Sequence, residues 1–207
     1  PASENECGLL VIGAGIAGLT AALFAADRGV DVVMVGSVSE LNFASGLIDL
    51  MGVHPIAEGR VWDNPWAAIE RLVRDEPRHP YARLSRETME TALGAFFSAL
   101  KNGGCSYCYK PEKNTPIITQ LGAIKQTYGA PRSMHGGGEA MALGRPGLII
   151  DFQNLRGFSA RMMVENLASK WPDLRHQRII VPGFKGELYN EPLALGQIGR
   201  ASCRERV

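Results

Sequence analysis

An α/β fold on a parallel sheet is predicted by the order strand, helix, strand within the first 35 residues. Leu9-Leu10-Val11-Ile12 is an uninterrupted apolar run of strand length. Residues 16–28 place Leu19, Ala22, Leu23 and Ala26 at spacings of three and four, and residues 30–35 form a second apolar run. A βαβ unit of this size closes with a right-handed crossover, so its strands pair in parallel. Composition agrees: 207 residues, 45% hydrophobic and 21% charged, make a globular chain long enough to bury a core. The longest apolar runs fall far short of the roughly 20 residues that span a bilayer. A formal net charge of +1, with no basic stripe studded by aromatics, gives no expectation of nucleic acid.

The first helix has Gly29 at its end, where a residue without Cβ adopts the left-handed conformation freely. A loop is expected from Gly36 to about Gly59. Asn64-Pro65 reads as an N-cap followed by proline at the first helical position, opening a helix to about Asp75 that Pro77 and Pro80 stop. Ser85 caps a third predicted helix, whose apolar face is Met89, Leu93, Phe96, Phe97 and Leu100 and whose end is Gly103-Gly104. Residues 105–128 alternate weakly and predict two or three strands. Gly136-Gly137-Gly138 is expected to be a loop, 147–150 a buried strand, 158–170 a helix and 178–181 a last strand. The expected organisation is an N-terminal βαβ segment over 8–60, then a helical and β region over 61–196 that returns incompletely to the α/β core. The second region amounts to part of a smaller α+β substrate or cap region.

Both ends read as cut. The chain opens on Pro1 and enters a strand pattern within a few residues, and residues 197–207 have no apolar period. IGRASCRERV, residues 198–207, looks like a translated sequencing-library adaptor, and 197–207 are therefore set apart from fold reasoning. Removing Arg200, Arg204, Arg206 and Glu205 leaves 19 basic against 20 acidic residues, net −1. Without Cys203 the remaining cysteines are Cys7, Cys105 and Cys108. An odd count with no signal peptide favours a reducing, cytoplasmic compartment. A chain that stops short of its last sheet strands is expected to expose an apolar edge and to bind cofactor poorly.

The sharpest motif is Gly13-Ala14-Gly15-Ile16-Ala17-Gly18, a G-x-G-x-x-G between the first strand and its helix. Gly13 permits the tight turn, Gly15 lets a phosphate approach the backbone, and Gly18 lets the helix lie close to the sheet. N–H groups at the helix start then face an anionic phosphate, where the helix dipole is also favourable. This is the Rossmann-like, dinucleotide-binding form of the βαβ unit. Its usual acid at the end of the second strand, which accepts from a ribose, is missing: the strand ends in Gly36-Ser37, and the first acid is Glu40. That shifts the reading from NAD or FAD towards a mononucleotide such as FMN, with FAD the alternative. Ser45-Gly46, in Leu41-Asn42-Phe43-Ala44-Ser45-Gly46, offers small residues where backbone donors can approach the phosphate or ring.

Taken together, several segments resemble the B subunit family of anaerobic glycerol-3-phosphate dehydrogenase, an accessory flavoprotein. They are 11–19, 41–46 with Asp49-Leu50, His79-Pro80-Tyr81, Thr119-Gln120-Leu121-Gly122, and 147–153 ending in Asp151-Phe152-Gln153. The resemblance implies FMN and oxidation of sn-glycerol 3-phosphate to dihydroxyacetone phosphate, with electrons passing towards a quinone. It also implies a catalytic A subunit and an iron–sulfur C subunit that anchors the complex at the inner face of the membrane. Gly13, Gly15 and Gly18, with Ala14, Ile16 and Ala17 between them, and then Ser45 and Gly46, carry over as cofactor contacts. No catalytic residue carries over. Two rivals share the glycine loop: an FAD-dependent oxidoreductase of other substrate specificity, and a non-catalytic assembly subunit.

Other candidates have plainer readings. Cys105-Ser106-Tyr107-Cys108 has the spacing of half a metal site but no second pair, so no metal is expected. His54, His79, His135 and His176 are scattered, and His135 beside three glycines is the best placed to meet a ligand. Met162-Met163 reads as core packing, and Arg71, Arg74, Arg78 and Arg83, interleaved with Glu70, Asp75 and Glu76, read as a solvated face.

Overall fold

A computed structural model describes residues 6–37, 45–154 and 157–180. The first unit is as the periodicity predicts. Strand β1 (Leu9–Ile12) lies parallel to β2 (Val32–Val35) in the register Leu9↔Val32 to Ile12↔Val35, joined by helix α1 (Ile16–Ala26). Gly29, at φ 75°, turns the chain out of the helix. The strand faces are only partly covered: Ile12 is 82% exposed and Val35 56%.

The middle of the chain makes a second layer. Helix α2 (Pro65–Asp75) starts as expected, with the Asn64 side chain accepting from the N–H groups of Trp66 and Ala67. Ser85 caps α3 (Arg86–Asn102) by accepting from Thr88 N–H. The two helices bury Trp66, Ile69, Met89 and Phe97 with Tyr128 as one apolar cluster. Four short strands support it. β3 (Tyr107–Tyr109) pairs antiparallel with β6 (Gly129–Pro131), and β4 (Thr115–Ile118) pairs antiparallel with β5 (Ile124–Thr127).

Helix α4 (Arg132–Ala142) corrects one expectation: Gly136-Gly137-Gly138 is helical and not a loop. The helix lies so close to β4 that a Cβ on Gly138 would stand 2.0 Å from the Pro116 carbonyl oxygen. Gly138 therefore marks a close approach, which outweighs the low helix propensity of glycine at that position. A second parallel unit follows, unforeseen as such: β7 (Gly147–Phe152), α5 (Ala160–Leu167) and β8 (Leu174–Ile179). Strand β7 is covered on one face only, with Leu148 and Ile150 exposed, because its second face has no layer over it among the described residues. Here α5 is shorter than the expected 158–170, and β8 begins four residues before the expected 178. Arg175 and His176 hide the start of the strand from an apolar-run reading. Its core is Leu167, Trp171 and Leu174, with Met163 packed against it and Gly147 lying under the Trp171 ring.

Asp151 ties this unit together. Its buried carboxylate accepts two bonds from Arg178, at 2.9 and 2.7 Å, and one at 3.3 Å from Ala160 N–H at the start of α5. The Arg178 guanidinium, aided by the Ala160 N–H, holds the carboxyl below its usual range against the opposing effect of burial. A lowered folded pKa gives stability that is complete above the unfolded value of about 3.9 and is lost as pH falls through the folded value. Asp151→Asn is expected to lower stability by about 1 kcal/mol at neutral pH, discounted because Arg178 is solvent-exposed. Thermal melts of both proteins should converge as pH drops through the lowered value.

Candidate functional site

The glycine turn between β1 and α1 is shaped by close backbone contacts. Gly13 sits at φ 112°, a conformation L side chains rarely adopt, and its N–H donates to Val35 O at 2.8 Å, closing the turn against β2. Gly15 is the N-cap of α1 in extended conformation (φ −73°, ψ 176°), and it offers no side chain to cap the helix. The first turn also holds no acidic residue, so an external anion meets no competing carboxylate there and is favoured by the positive end of the helix. Gly18 explains the third glycine: a Cβ there would stand 2.0 Å from Gly13 O and 3.4 Å from Val11 Cγ1. Helix and turn are in backbone contact, which fixes the direction in which the N–H groups point.

The end of β2 carries a feature that sequence reasoning noticed only as a missing acid. Gly36 packs against the turn so tightly that a Cβ would lie 2.5 Å from Ala14 N and 2.9 Å from Ala14 Cβ. This backbone has no room for the usual carboxylate at position 36. Glu40, the nearest acid along the chain, lies outside the described residues, as do positions 41–44 of the second predicted segment.

Ser45 and Gly46 are described. Ser45 Oγ accepts from Leu47 N–H at 3.2 Å, and Gly46 sits at φ 73° with its carbonyl accepting from the Tyr107 hydroxyl at 2.7 Å. Two residues on, Ile48 bridges to Gly129, the first residue of β6. The loop is thus moored to the β3–β6 pair. What relates it to the glycine turn is an apolar groove of about 400 Å³ between α1 and α3, lined by Ile16 and Thr20 from one side and Ile48 and Leu50 from the other. Sequence reasoning missed Tyr107, the residue that anchors Gly46. Its only signal was a position in a weak strand.

The remaining candidates resolve into structural roles. His54 is buried, with Nε2 donating to Asp75 Oδ2 at 3.0 Å, and Arg71 Nε donates to the same oxygen at 2.7 Å. Arg71 first and His54 second hold the Asp75 carboxyl below its usual range. Two residues read separately, a scattered histidine and a surface arginine, therefore share one carboxylate. His79 caps the 3-10 turn at Pro80–Arg83, and His135 lies on α4 with Nδ1 4.0 Å from Glu139 Oε2. Cys105 and Cys108 are free thiols, and no group of three or more metal-ligating side chains occurs among the described residues. No described helix is long and apolar enough to cross a membrane.

Comparison with known proteins follows the same line as the geometry. A family model described as an FAD binding domain matches residues 8–180. The B subunit of anaerobic glycerol-3-phosphate dehydrogenase from Vibrio cholerae serotype O1 is 32% identical over 186 residues, covering 85% of this chain and 41% of the relative. Its counterpart in Vibrio vulnificus (strain YJ016) is 34% identical over 173 residues, 83% of this chain and 39% of the relative. A probable B subunit of the same dehydrogenase from Halobacterium salinarum is 35% identical over 188 residues, 90% and 41% respectively. The chain therefore spans about two fifths of the length of these relatives. No solved structure matches it significantly.

Proposed function

The chain belongs to the FAD binding domain family, and from that premise we propose that it is the flavin-holding part of a dehydrogenase subunit that oxidises sn-glycerol 3-phosphate to dihydroxyacetone phosphate. The observation that carries the reading is the glycine turn: a backbone cradle at a helix start that has no capping side chain and no acid in its first turn. In this assignment Gly13, Ala14, Gly15, Ile16, Ala17 and Gly18 hold the cofactor phosphate, and Ser45 and Gly46 present backbone towards the cofactor from the loop moored by Tyr107. When bound, a flavin takes up a hydride and releases electrons one or two at a time. The protein's own part is to fix the phosphate and to shield the ring.

The cofactor we favour is FMN, with FAD the alternative. Gly36 supports the mononucleotide, because the position from which an acid would hold the adenosine ribose is filled by the turn itself. The substrate, and the subunits that receive electrons, rest on the relatives, whose name as one lettered subunit implies a larger complex. We assign to that complex a catalytic A subunit and an iron–sulfur C subunit leading to a quinone at the inner face of the membrane. In this scheme residues 8–60 form the flavin-binding segment and 61–196 a helical and β region that returns incompletely to the α/β core.

Turnover decides the substrate. The full-length protein with its partner subunits, offered a panel of polyols and their phosphates with an artificial electron acceptor, is expected to oxidise glycerol 3-phosphate and to leave glycerol untouched. Preference for an unrelated substrate would assign another specificity to the same fold. A flavin-free complex of undiminished activity would reduce this chain to an assembly role.

A further inference from the structure

A second cavity, of about 490 Å³, opens between the end of α3, the β3–β6 pair and the start of α4. Lys101 and Arg132 line it together with Ser106, Tyr107, Phe97 and Tyr109, and no acidic residue does. Neither Lys101 nor Arg132 makes an ion pair among the described residues, whereas Arg86, at the other end of α3, is matched to both Glu90 and Glu112. Arg132 is moreover the first residue of α4, where the helix's own partial positive charge adds to its guanidinium instead of offsetting it. Two cations facing one cavity are mutually repulsive unless an anion joins them. The walls supply what a small organic anion needs besides charge: the Phe97 and Tyr109 rings, stacked at 4.2 Å between centroids, form an apolar side.

We infer that Lys101 and Arg132 form a subsite for a phosphate monoester, distinct from the glycine turn. A dianion suits two cationic donors, one a planar fork that can bind two oxygens and the other a mobile point charge. Tyr107 lines this cavity and donates to Gly46 O at 2.7 Å, so the subsite borders the loop assigned to the flavin. The inference rests on the proposed function in naming glycerol 3-phosphate as the ester. It goes beyond that function in giving this chain, and not only a partner, residues that hold the substrate's phosphate. The same chemistry has a second source, the phosphate of the cofactor, and the experiment separates the two.

Calorimetry on the full-length protein measures binding of glycerol 3-phosphate, inorganic phosphate and glycerol, while flavin content is read from the same samples. Wild type is expected to bind the ester at least about tenfold more tightly than glycerol, with inorganic phosphate competing. Lys101→Gln and Arg132→Gln are each expected to weaken the ester about tenfold or more with flavin content unchanged, and Arg132→Lys to weaken it less. Loss of flavin with unaltered ester affinity would overturn the subsite by assigning the cations to the cofactor, and no change in either quantity would overturn it outright. Acetylation of wild-type protein gives a readout that needs no variant: glycerol 3-phosphate should protect Lys101, which is exposed, and absence of protection counts against the subsite. Wild type that holds flavin but no ester refutes the subsite alone. Wild type that holds ester but no flavin refutes the proposed function and leaves the subsite standing.

Discussion

Gly18→Val in the full-length protein is expected to lose its flavin, with affinity falling about a hundredfold or more. The reason is a collision with backbone. The new Cβ would stand 2.0 Å from Gly13 O and 3.1 Å from Gly13 C, well inside any separation real Cβ atoms adopt. The Gly13 residue that carries this carbonyl is itself tied to β2 through its own N–H, which donates to Val35 O, so the turn has little freedom to move away. Helix α1 must therefore lift from β1, and overpacking of this kind costs about 1–3 kcal/mol or more. The N–H groups of the helix start then no longer converge on one point, and each 1.4 kcal/mol of lost interaction is about tenfold in affinity. Visible flavin absorbance per mole of purified protein reads the effect directly. Unchanged flavin content would mean that the turn does not hold the cofactor.

Gly138→Ala carries the largest expected effect on stability away from that turn. Alanine normally improves an exposed helix position by up to about 1 kcal/mol over glycine. At Gly138 the sign reverses, since Cβ would lie 2.0 Å from Pro116 O and 3.1 Å from Pro116 C in the adjoining strand. Separating α4 from β4 is expected to cost about 2–3 kcal/mol and to lower Tm by several degrees. Gly136, two residues earlier on the same helix, has open space where its Cβ would go. Gly136→Ala should then raise Tm slightly, and a fall of similar size in both variants would refute the packing argument. Flavin content should survive in each.

Features with local causes were legible in the amino-acid sequence. The first βαβ unit rests on periodicity and Gly29, and α2 and α3 begin where Asn64 and Ser85 offer an oxygen to free N–H groups. Each of these is settled within four or five residues. Features with distant causes were not legible. The three glycines of α4 read as a loop because the carbonyl that requires Gly138 belongs to Pro116, some twenty positions away. The first residues of β8 were missed because Arg175, His176 and Gln177 look like surface until pairing with β7 gives them a place in the sheet. The same division runs through the candidate site. Gly13, Gly15 and Gly18 announce themselves by spacing, whereas the contact between Gly36 and Ala14, the mooring of Gly46 by Tyr107 and the shared cavity of Lys101 and Arg132 exist only once the chain has folded.

A turn from β1 into α1 that holds a flavin phosphate, as proposed, leaves that flavin on the purified protein. Releasing the cofactor from purified full-length wild-type protein and identifying it by chromatography and mass tests this most directly. A flavin is expected, FMN in preference to FAD, at close to one per chain. A nicotinamide cofactor, or a folded protein with no cofactor at all, would contradict it.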